Sequence, residues 1–83
     1  MKFYFFDSAV NRLSKCDELE GEFASDVVTV IERGPNRAFA VPESINVLDY
    51  FLMFLLRQFK AAEHIGRAQL DAIDQILKSA GLL

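Results

Sequence analysis

Cysteine is nearly absent. Cys16 is the one cysteine among 83 residues, so no disulfide can form within a single chain. Small domains that rely on disulfides belong to oxidising compartments, and a chain without them is expected in a reducing cytoplasm. An excess of basic charge is also missing. The formal net charge is −3, whereas free-standing nucleic-acid binders are usually basic. Nucleic acid is therefore a disfavoured partner.

Long hydrophobic runs are absent too. Lys2 precedes only Phe3 to Phe6 before Asp7, which is shorter than the roughly 7–15 apolar residues of a signal peptide. The run Val47 to Leu56 carries Asp49 and stops at Arg57. A membrane span needs about 20 residues. A soluble protein with no membrane partner is expected.

Catalytic and metal signatures are missing as well. His64 is the single histidine, expected near a helix C-terminus where the dipole favours a cation. Cys16 has no CxxC partner, and no His–Cys or His–carboxylate spacing builds a metal site. The chain lacks GxGxxG, P-loop and GxSxG motifs. No enzyme activity, catalytic residue, metal or cofactor is expected.

What the chain does have is apolar mass. Hydrophobic residues make up 52% and eight residues are Phe, far too apolar for a disordered chain. The length suits one domain, 1–83. Residues 2–6, KFYFF, read as a strand that is aromatic on both faces. Such a strand is covered on both faces, by helices or by a second copy of the chain.

Ser8 is placed to cap a short helix in which Val10, Leu13 and Cys16 fall at helical spacing. The rival reading is a strand around Arg12–Cys16. Val27 to Arg33 and Arg37 to Val41 read as a hairpin about Gly34-Pro35-Asn36. Pro is placed at the second turn position and Asn at the third. Pro42 ends the second strand.

Asn46 then caps a helix expected to run to about residue 64. Gly66 breaks it, and a second helix spans Arg67 to Ala80. Leu70, Ile73, Ile76, Leu77 and Ala80 lie on its apolar face, and Gly81 closes it. The predicted fold is α+β. An N-terminal strand and a β-hairpin form an antiparallel sheet, with two C-terminal helices packed on one face.

The first helix carries YFLMFLLRQF, residues 50–59. Its apolar arc spans roughly 200°, about twice what a surface helix needs. Met53 and Leu56 lie outside even that arc. The surplus suggests a homodimer interface at Tyr50, Met53, Phe54 and Leu56.

Two further surfaces stand out. Asp17, Glu18, Glu20, Glu22 and Asp26 place five acids within ten residues. They read as a solubilising face or as an acidic surface for a protein partner. Arg33 and Arg37 flank the hairpin turn, where they read as exposed strand-end charges that discourage edge pairing or as side chains that could reach phosphates. The leading function is a non-catalytic protein-interaction module, homodimeric through the helix. The alternatives are a regulator that touches nucleic acid through the arginines and a small inhibitor of a larger enzyme.

Overall fold

A computed structural model describes residues 1–59 and 66–83. The fold is α+β, with a four-stranded antiparallel sheet and two helices. The chain divides into two compact units, Met1–Asn46 and Val47–Leu83.

The first unit is the sheet. Its strands are β1 (Lys2–Asp7), β2 (Arg12–Cys16), β3 (Thr29–Arg33) and β4 (Asn36–Val41). They lie in the order β2-β1-β4-β3, so β1 and β4 are central. Tyr4 stands opposite Lys15 on β2 and Phe39 on β4. Phe6 stands opposite Leu13 and Arg37. Directly opposed residues share a face. One face therefore carries Tyr4, Phe6, Leu13, Phe39 and Val41, all buried. The other carries Phe3, Phe5 and Ile31, half-buried, beside the buried Ala38 and Ala40. The doubly aromatic strand is thus in place.

The short helix expected after Ser8 does not form. Residues 12–16 are β2, the rival reading. Asp7 Oδ1 accepts the Ala9 N–H at 3.0 Å, and Asn11 takes φ 51°. Together they reverse the chain in the left-handed conformation that Asn tolerates. Ser8 caps nothing. Its N–H donates to Asn36 Oδ1 at 3.1 Å and its hydroxyl donates to the Pro35 carbonyl at 2.8 Å, which ties the two hairpin turns together. The i, i+3, i+6 spacing of Val10, Leu13 and Cys16 misled. Val10 is exposed in the turn before β2, while Leu13 is buried on β2 opposite Phe6.

The second hairpin forms, with a different turn from the one expected. Arg33 pairs with Asn36, so Gly34 and Pro35 are the two central residues. Pro35 stands third in the turn and Asn36 is already on β4. Gly34 has φ 61°, and Pro35 cannot follow it to positive φ. That combination fits a type II′ turn, which demands Gly first and matches the strand twist. Beyond β4, the Ile45 N–H donates to the Pro42 carbonyl at 3.1 Å. The Met1 amino group donates to Glu43 Oε1 at 2.6 Å, and this bond holds the Glu43 carboxyl below the usual carboxylate range.

The second unit contains α1 (Val47–Phe59) and α2 (Arg67–Ser79), which pack on each other. The expected run of the first helix to about residue 64, and the His64 expectation with it, fall outside the described residues. Gly66 is the N-cap of α2. Ile73, Ile76, Leu77 and Ala80 are buried as expected, but Leu70 is exposed. It lies in the first turn, and burial starts one turn later at Ile73. Gly81, at φ 75°, closes α2. Its N–H donates to the Lys78 carbonyl and the Leu82 N–H to the Leu77 carbonyl, the paired bonds of a Schellman motif.

Two consequences can be measured. Phe39 is fully buried at the centre of the sheet, so Phe39→Ala should cost about 3–5 kcal/mol in urea unfolding. Val30→Ala, at an exposed site, should change stability by less than about 0.5 kcal/mol. Burial pushes the Tyr4 phenol above its ordinary value. A pKa raised on folding contributes stability that is complete below the unfolded-state value and is lost as pH rises through the folded one. Stability should therefore fall in alkali above about pH 10, and Tyr4→Phe should remove that part of the loss in alkaline unfolding curves.

Candidate interaction surface

α1 is apolar nearly all round, and its side chains divide into two groups. Phe51 and Leu55, one turn apart, are fully buried. Tyr50 and Phe54 flank Phe51 and are half-buried. Their rings meet Phe51 edge to face, with centroids 5.3 and 6.3 Å away, the geometry aromatic pairs prefer. Two of the four expected interface residues are therefore tied to the buried aromatic cluster of their own helix.

Met53 and Leu56 belong to the other group. At about 100° per residue, Met53 points directly away from the Phe51–Leu55 direction. It is 51% exposed. Leu56 lies beside it and is half-buried. Leu52 completes the strip at 36% exposed. Leu52 is the last residue at the edge of the apolar arc. Asp49 falls within the strip near its N-terminal end and Arg57 borders it. Each exposed large apolar side chain forgoes roughly 1.5–3 kcal/mol of burial.

The acidic segment has a defined route. It leaves β2 at one edge of the sheet and enters β3 at the other. Between those two points Cys16, Phe3, Ala40 and Thr29 form one row, opposed in turn across the four strands. Phe23 packs on Phe3 with ring centroids 5.7 Å apart and planes tilted by 57°. The chain's own crossover thus supplies part of the cover that β1 requires. Asp17, Glu18, Glu20, Glu22 and Asp26 are all exposed. Among the described residues no three His, Cys, Asp or Glu side chains converge into a metal-binding group.

The hairpin arginines are separated. Arg33 stands opposite Asn36 and Arg37 opposite Glu32. Residues an odd number apart from a shared partner alternate faces, so Arg33 and Arg37 lie on opposite faces of the sheet. A single phosphate track along one face would not meet both. Arg37 is also half-buried and faces an acid. The row Arg12–Asp7 closes the same end of the sheet on the Arg33 face.

Among the described residues no helix is long and apolar enough to cross a membrane. The chain matches no family model, no curated protein and no solved structure.

If Phe23 pins the acidic crossover to the sheet, Phe23→Ala should free it. Cleavage after Glu18, Glu20 and Glu22 by a glutamate-specific protease should rise several-fold. The loss of overall stability should reach about 1 kcal/mol or more, the worth of an aromatic pair beyond its buried area.

Proposed function

We propose that this chain is a small non-catalytic protein-interaction module of the cytoplasm that self-associates through α1. The observation that carries the reading is the apolar strip of α1 beyond Phe51 and Leu55, exposed at Leu52 and Met53 and half-buried at Leu56. A marginally stable small chain gains by covering such a strip. A two-fold contact lets one strip cover its own copy. The pinned, exposed acids of the crossover serve as a second contact, suited to a basic protein surface by charge.

The test is molar mass by light scattering over a concentration series. The wild-type chain should reach at least twice its 9.4 kDa mass, and the mass should persist in high salt because apolar contacts are not screened. Changing Met53 and Leu56 together to Glu should lower it. A mass of 9.4 kDa at every concentration would overturn the reading. Retardation of DNA or RNA at low salt, lost on raising salt, would favour the phosphate-binding alternative instead.

A further inference from the structure

β3 is an edge strand: among the described residues no strand pairs with its outer side. Among the described residues, no backbone hydrogen bond outside the strand ladders involves Thr29–Arg33. Natural sheets blunt such edges with charged side chains, Lys above all, with Pro, bulges or covering segments, and the charges of β3, Glu32 and Arg33, are confined to its turn end. The opposite edge, β2, carries the exposed Lys15. β3 reads Thr-Val-Ile-Glu-Arg, with three β-branched residues in a row and no Lys or Pro. Val30 is 42% exposed.

The turn fixes which backbone groups point outward. In a two-residue hairpin the closing pair, here Arg33 and Asn36, exchanges both of its hydrogen bonds. Bonded and non-bonded pairs then alternate. Arg33, Ile31 and Thr29 bond inward to β4. Val30 and Glu32 present their N–H and C=O groups to the outside.

We propose that this edge pairs antiparallel with β3 of a second copy, about a two-fold axis at Ile31, so that the two sheets become one. In that register Val30 stands opposite Glu32 of the copy, and each such pair can exchange two bonds. Thr29 stands opposite Arg33. All five residues pair and no like charges stand directly opposite. A shift of two toward the turn sets Glu32 against Glu32. A shift of two the other way pairs Glu32 with Val28, which lies outside the strand. Charge at the turn end and strand length at the other end thus select one register of the strand with itself. On the face that carries Phe5, the row Phe5, Ala38, Ile31 would continue through Ile31 of the copy, covering a side chain now half-buried.

This contact uses none of the α1 residues and stands or falls separately from the α1 contact. The first test uses the unmodified chain. Amide hydrogen exchange at Val30 and Glu32 should slow by about tenfold or more as concentration rises through the association range. The amides of Arg12–Cys16 should not respond. Val30→Pro removes an outward donor and leaves the inward bonds of β3 intact, so it should abolish the response at Glu32 while Ile31 stays protected.

A second readout does not depend on that variant. The pair Ile31–Ile31 would be non-bonded, with Cα atoms about 4.5 Å apart, within disulfide range. With Cys16→Ser in place, Ile31→Cys should form a covalent dimer on oxidation many-fold faster than Arg12→Cys on the other edge. Exchange at Val30 and Glu32 that ignores concentration overturns the proposal, as does an Ile31→Cys crosslinking rate no greater than that of Arg12→Cys. The Met53 and Leu56 double change should alter neither result, so a failed α1 contact would not be mistaken for a failed β3 contact.

Discussion

β1 pairs with β2 on one side and β4 on the other, and each of its residues from Phe3 to Phe6 has a partner in both strands. The rest of the first unit depends on this double pairing. A strand with aromatic side chains on both faces is unstable with either face in water, so both faces must be covered. On one face Tyr4 and Phe6 are buried with Leu13, Phe39 and Val41. On the other, small residues at Ala38 and Ala40 make room and Phe23 comes across to lie on Phe3. The acidic crossover is held in place by an aromatic contact, while its carboxylates remain in water.

The same economy leaves surplus apolar surface at two places. α1 has more apolar circumference than Phe51, Leu55 and their aromatic neighbours use, and Leu52 and Met53 are left exposed. β3 leaves the outward backbone groups of Val30 and Glu32 without a strand beside them. These are different chemistries. The strip on α1 favours any apolar surface of matching shape. The β3 edge requires an extended partner in a defined register, because hydrogen bonds are directional. These are the two surfaces through which we propose that this small acidic chain associates.

Much of the architecture was legible in the residues. KFYFF, the β-branched Val27–Arg33 run and the amphipathic period after Gly66 each carried a strong local pattern. Gly81 announced the end of α2 because only a residue at ease with positive φ can close a Schellman motif. Residues 8–16 were not legible in this way. Three apolar positions spaced by three suit a helix as well as a turn followed by a strand. The choice fell to pairing with β1 and to the hydrogen bonds from Ser8 to Pro35 and Asn36, which lie 27 and 28 residues away. The exposure of α1 was half legible. Met53 is exposed where it opposes the apolar arc, whereas Leu52 sits on the arc's margin, where a wheel does not separate covered from exposed.

By itself the sequence determined the α+β class, the strands of the second hairpin, a helix starting after Asn46 and the amphipathic helix after Gly66. Each follows from a pattern confined to a short stretch of chain. Only the tertiary structure decided that residues 12–16 are a strand, that Arg33 and Arg37 take opposite faces, that Phe23 anchors the acidic segment and that β3 is an edge. All four depend on strand order and register. Register is fixed by which distant side chains can share a face, and no local period encodes that.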